Sequence, residues 1–138
     1  MAHSSAHELR LSIMRLARQV RSQKAEGDVT DGQRSVLFAL EENGAQSLGS
    51  LSERERVTPP SMNRTVGKLV DAGLVSRRVD DDDRRRVVLE TTEAGAAFVL
   101  ETRRRRDEWL VPRLAALTAD ERRTLADATE ILRKLTRS

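Results

Sequence analysis

Cysteine is absent from the 138-residue chain, and the aromatic complement is two phenylalanines and one tryptophan. Without cysteine there is no disulfide, no thiolate-bound zinc, no iron–sulfur cluster and no thiol redox sensor. Histidine is nearly absent as well. His3 and His7 fall together at an amino terminus expected to fray, which removes most imidazole chemistry. Long apolar runs are missing: the longest, Val36–Leu40 and Ala96–Leu100, are five residues, against about 20 for a membrane-spanning helix. Neither a transmembrane span nor a signal peptide is therefore expected. No nucleophile–histidine pair, metal-ligand set or glycine-rich phosphate loop occurs, so neither enzyme activity nor a metal or cofactor is expected.

What is present is charge. Asp, Glu, Lys and Arg make up 34% of the chain and the AVILMFWYC set 38%, a soluble composition that still allows a modest core. At about 100–200 residues per domain, the length suggests one domain, 1–138, with appended helices. The net charge of +3 is not spread evenly. Residues 54–86 hold nine basic groups against six acidic ones, while the remainder has 16 of each and is neutral in sum. Of the 25 basic residues 22 are arginine, whose planar fork suits phosphates and guanine edges better than lysine's point charge.

Leu9, Ile13, Leu16 and Val20 recur at helical spacing within 8–24, and Gly27-Asp28 should break that helix. Thr30 and Gln33 form a capping-box pattern for a second helix, through Val36, Leu37 and Leu40 to Asn43-Gly44. A short segment at Ser47-Leu48 and a short helix around Leu51 follow. Thr58 is a good N-cap for a fourth helix, with Pro59 at N1 where a missing N–H costs nothing and Gly73 closing it. Residues 74–79 and 86–91 read as strands around the polar loop 80–85. Thr91 or Thr92 should cap a long helix over roughly 93–116. Its middle, Arg103–Arg106, has no apolar residue, and Pro112 should kink or end it. Thr118 and Glu121 open a last helix with Leu125, Ala128, Leu132 and Leu135 on one side.

Two helices joined by a tight turn and followed by a hairpin make a winged helix-turn-helix, in a fold that is mainly α with a small β-hairpin wing (α+β). On a wheel of the fourth helix, Met62, Val66 and Leu69 share the core side. Ser61, Arg64 and Lys68 lie opposite, with Asn63 and Thr65 flanking them. This polar face begins at the helix N-terminus, where the macrodipole favours phosphate and where recognition helices meet base edges. Arg64 suits guanine and Asn63 adenine. At the hairpin tip Arg84, Arg85 and Arg86 stand beside four aspartates that would repel phosphate. One physical account is that Asp83 orients a neighbouring arginine by a charge-assisted hydrogen bond, for entry into a minor groove.

Thr-Pro-Pro-Ser-Met-Asn-Arg-Thr-Val (58–66), Ala-Gly-Leu-Val (72–75), Asp-Asp-Arg-Arg (82–85) and Thr-Glu-Ala-Gly (92–95) resemble the MarR family of bacterial transcription regulators. The match runs over about 30–95 and departs at Asp81, where the wing usually turns at a proline. The resemblance implies a homodimer with intertwined first, fifth and sixth helices, each subunit reading half of a palindromic double-stranded operator. It implies a repressor more often than an activator. It also puts Ser61, Asn63, Arg64, Thr65 and Lys68 in the major groove and Arg85 in the minor groove, with Arg84 and Arg86 beside it. On this basis residues 30–92 form the DNA-binding lobe, 6–25 and 93–138 the dimerisation helices, and the protein is cytoplasmic and nucleoid-associated.

The terminal helices point to a dimer independently. Each carries a narrow apolar stripe far in sequence from the central core, and a second copy is the economical cover. Relatives often bind small amphipathic or phenolic effectors. Met14, Phe38, Leu40, Trp109 and Leu110 are conceivable lining residues here, although plain core is the better reading of each. The competing function is a winged-helix protein-interaction module without specific DNA binding, against which the outward Arg64, Lys68 and tip arginines argue.

Overall fold

The computed structural model describes residues 2–23 and 29–137. Nine elements follow in order: α1 (Ala2–Ser22), α2 (Asp31–Asn43), β1 (Gln46–Ser47), α3 (Leu48–Glu55), α4 (Pro59–Asp71), β2 (Val75–Val79), β3 (Val87–Thr91), α5 (Glu93–Ala115) and α6 (Ala119–Thr136). The order matches the sequence expectation, helix for helix and strand for strand. Helix α1 differs at its start: it begins at Ala2, so His3 and His7 are helical rather than frayed, and the His7 ring meets Arg10 at 2.7 Å. The break expected at Gly27-Asp28 lies outside the described residues.

Most termini are set by caps legible in the sequence. At α2, the Thr30 hydroxyl accepts from the Gln33 N–H and the Gln33 carboxamide oxygen accepts from the Thr30 N–H, both at 3.2 Å, closing the capping box. Gly44 ends this helix with φ of 77°. At the end of α4 the Leu74 N–H donates to the Leu69 carbonyl and the Gly73 N–H to the Val70 carbonyl. That Schellman pattern needs Gly73 at φ of 78°, one residue past the cap position at Ala72. Pro112 does not end α5 early. The helix runs three residues beyond it: the proline removes only its own donor, and the Ala116 N–H still closes onto the Pro112 carbonyl at 3.2 Å.

The chain forms two compact units, one of α1 with the chain from Arg104 onward, the other ending at Arg103. The second unit holds the core: Val36, Leu37 and Leu40 of α2, Leu51 of α3, Met62, Val66 and Leu69 of α4, Val75 and Leu89 of the sheet, and Val99 of α5. Each such side chain, removed from water, contributes roughly 1.5–3 kcal/mol. The sheet is antiparallel with order β1-β3-β2, the two-residue β1 pairing Gln46 with Leu89 and Ser47 with Val88. Beneath it, α5 begins at Thr92, whose hydroxyl accepts from the Gly95 N–H at 3.1 Å and donates to the Gly73 carbonyl at 2.6 Å. Gly95 is buried there.

The first unit is of a different character. No residue of α6 is buried, and Leu125, Ile131, Leu132 and Leu135 are exposed in the single chain. Leu9, Ile13, Met14 and Leu16 of α1 are exposed as well. The polar stretch of α5 is explained by pairing. Arg103 lies over the Phe38 ring, 5.5 Å from its centroid, and near Glu42, while Arg104 pairs with Glu108 one turn on.

Candidate nucleic-acid interface

The surface in question is built on α4. Thr58 takes an extended conformation and its hydroxyl accepts from the Ser61 N–H, with Pro59 and Pro60 in the first turn. The turn leading into it is tight. Arg56 adopts a left-handed conformation with φ of 56°, and the Val57 N–H closes back onto the Ser52 carbonyl. Met62, Val66 and Leu69 are buried, which fixes the rotation of the helix. Asn63, Arg64 and Lys68 are then exposed, and Ser61 and Thr65 half-buried. The wheel-derived division of the helix is the one observed.

Arg64 donates to the Ser61 hydroxyl at 3.1 Å, one turn back along the helix. Ser61, Arg64, Thr65 and Lys68 share a hollow of about 250 Å³ with Thr30 and Gln33 from the start of α2. Two cations, three hydroxyls and a carboxamide line it, and no acid does. Arg34 braces the same end of α2 from inside. It is buried, with its guanidinium on Asp31 at 2.8 Å and on the Val29 carbonyl at 3.1 Å.

In the wing, β2 and β3 pair from Val75–Thr91 to Val79–Val87. The Asp80 N–H donates to the Arg86 carbonyl and the Arg86 N–H to the Asp83 carbonyl, closing the tip. Arg84, Arg85 and Arg86 are all exposed. Two of the four aspartates shape the loop: the Asp80 carboxylate accepts from the Asp82 N–H at 3.1 Å, and the Asp83 carboxylate from the Arg85 N–H at 3.1 Å. Asp83 also accepts from the Arg85 side chain, Nε to Oδ1 at 3.2 Å, while that side chain remains 92% exposed. The tip acids thus hold the loop and aim an arginine.

One contact to the polar face of α4 was not expected from the sequence. Arg77 of β2 donates to Asn63 of α4, reaching its side-chain oxygen at 3.2 Å and its carbonyl at 3.4 Å. The signal was available in the two-residue period of the strand. Arg77 lies opposite Leu89 and shares the face of buried Val75, whereas Arg78 pairs with Glu90 at 3.6 Å. The five residues considered for an effector pocket divide between the units. Leu40 is core, Phe38 packs against it beneath Arg103, Met14 is exposed, Trp109 lies under the Arg113 guanidinium, and Leu110 is half-buried.

A helix presenting a polar, basic face beside an arginine-tipped hairpin defines a DNA-binding protein of the winged helix-turn-helix class. The sequence pattern of the MarR family matches residues 29–87. An uncharacterized HTH-type transcriptional regulator of Mycobacterium leprae is 42% identical over 130 residues, covering 94% of this chain and 91% of that one. Among solved structures, a transcriptional regulator protein of Pseudomonas aeruginosa superposes with a TM-score of 0.88 at 26% identity, over 99% of this chain and 97% of the other. A mutant of Staphylococcus aureus MepR bound to an oligodeoxyribonucleotide shares the fold, with a TM-score of 0.70 at 20% identity over 95% and 97% of the chains. The chain belongs to the MarR family of HTH-type transcriptional regulators.

Proposed function

We propose that the protein is a homodimeric, sequence-specific regulator that binds a palindromic double-stranded operator, one winged helix-turn-helix per half-site. Ser61, Asn63, Arg64, Thr65 and Lys68 meet the major groove, and Arg84, Arg85 and Arg86 the minor groove and its flanking backbone. The observation that carries this reading is the conjunction on one lobe of the acid-free face of α4 and the Asp83-aimed Arg85 at the wing tip. A protein-binding module has no comparable use for cations placed to meet both a groove and a backbone. The hollow shared by α4 and the start of α2 suits a backbone phosphate, which cations and helix-terminal N–H groups favour.

The dimer is supported by the exposed stripe of α6, since a soluble monomer gains nothing by leaving Ile131 and Leu135 about 60% exposed on one helix. Two copies related by a twofold axis would set their recognition helices about 34 Å apart, one turn of duplex. In this proposal the whole chain, 1–138, acts as one functional domain, with 30–92 as the DNA-binding lobe and 6–25 and 93–138 as the dimerisation helices. Repression in the cytoplasm, relieved by a small amphipathic or phenolic effector, is the mode that family membership supports.

Fluorescence anisotropy on the protein's own upstream DNA, at several salt concentrations, tests the central claim. The expected result is tight binding that weakens steeply with salt, with a log–log slope near −0.9 per phosphate contact. Salt-independent binding, or equal affinity for random duplex, would overturn it.

A further inference from the structure

We propose that Arg77 is a positioning residue for base recognition: it fixes the orientation of the Asn63 carboxamide on α4 and thereby which base that asparagine accepts. The proposal rests on α4 reading the major groove, as set out above.

The strand register sends the Arg77 side chain off the sheet on the face of Leu89 and Val75, toward α4. Its guanidinium passes Gly67, where an added Cβ would stand 3.7 Å from the terminal nitrogen. It ends on Asn63, one helical turn earlier, donating to Oδ1 at 3.2 Å and to the carbonyl at 3.4 Å. A methyl group at this position would only touch the guanidinium, whereas a longer side chain would compete with it for the same space.

Arginine has donors only, so the atom of the Asn63 side chain that faces it is the oxygen, and the NH₂ group points away from the wing strand. A carboxamide free to turn over presents donor and acceptor in either order. The latched one presents a single order. Adenine requires both at once, an acceptor for its N6 amine and a donor for N7, whereas guanine and thymine offer acceptors that a freely turning NH₂ can serve. Arg77 therefore converts an indiscriminate donor into a discriminating pair of groups. It does so from a strand that need not touch the base.

The test starts from sites selected by the full chain out of a randomised duplex pool. Base preferences are then measured by anisotropy for the wild type, Asn63→Ala, Arg77→Met and the double variant. Arg77→Met is expected to flatten the preference at one base pair by about tenfold, within the range for loss of a bidentate contact. That pair is the one Asn63→Ala flattens, and the double variant is no worse. The preference read by Arg64, the salt slope and the melting temperature stay as in the wild type. Gly67→Leu, which keeps every charge and crowds the guanidinium off the helix, should reproduce the flattening. A uniform loss on all sequences, with a salt slope shallower by about 0.9, would make Arg77 a phosphate contact and overturn the proposal. Additive losses in the double variant would overturn it too. A wild type that selects no sequence instead overturns the underlying DNA reading, and shows this before any variant is compared.

Discussion

Gly95 shows how one residue decides a junction. A Cβ added there would stand 2.1 Å from the Leu74 carbonyl oxygen, which also accepts from the Thr92 N–H. Neither backbone can give way easily, so Gly95→Ala should destabilise the protein by about 1–3 kcal/mol, the usual cost of forcing atoms into a packed site. Thermal melting checks this, and an unchanged transition would contradict the close approach. In the Thr-Glu-Ala-Gly run the threonine was readable as a cap, but the glycine only as part of a family resemblance; its reason is this contact. At the DNA face, Arg64→Ala should cost about 1–3 kcal/mol on the selected site and relax specificity there. Asp83→Ala separates two accounts of the wing. If the tip works by net charge alone, losing an acid strengthens DNA binding. If Asp83 aims Arg85, as the 3.2 Å contact indicates, the variant binds more weakly despite its added positive charge, and anisotropy at fixed salt reads the sign.

Elements in this chain are bounded mainly by side-chain caps, and α6 depends on one. The Glu121 carboxyl is held below its ordinary value of about 4.5, chiefly by the hydrogen bond from the Thr118 backbone N–H and then by one from the Thr118 side chain. A depressed folded value means that the contribution is complete above the ordinary value and is lost as pH falls through the depressed one. The melting temperature of Glu121→Ala should accordingly lie below that of the wild type at pH 6. The gap should narrow as the solution is acidified below the ordinary value of about 4.5 and close once the depressed value is passed, and a gap independent of pH would show that the carboxylate is not the cap. Both capping boxes could be found from residue identity at a spacing of three, because the chemistry involved is local. The extent of α1 and the persistence of α5 beyond Pro112 could not. Helix ends without a dominant stop signal are decided by marginal differences among neighbouring residues, and Pro112 removes one donor without stopping the turn that follows it.

For the molecule as a whole, the division of apolar surface between the two units is the organising fact. The lobe from α2 to the start of α5 has its own core, and its stretch 54–86 holds nine basic groups against six acidic ones; α1 and α6 expose leucine and isoleucine. Ile131→Glu tests the proposed dimer. At a site 59% exposed in a monomer the change should be nearly neutral. Within a dimer interface it buries a carboxylate and should shift the protein to monomer in sedimentation, with a shallower salt slope on DNA as half of the phosphate contacts disappear.

Residue identity was enough to specify the order of elements, the caps, the buried side of α4 and the basic excess of 54–86. Those follow from residue identity at fixed short spacing, where helical and strand periods leave little choice. Tertiary structure alone decided what depends on residues far apart in the chain: the Leu74 carbonyl that only a glycine at 95 can approach, and the Arg77 guanidinium that reaches across from the wing to Asn63. No local pattern encodes such meetings, because they exist only once a sheet and a helix have packed against a common core.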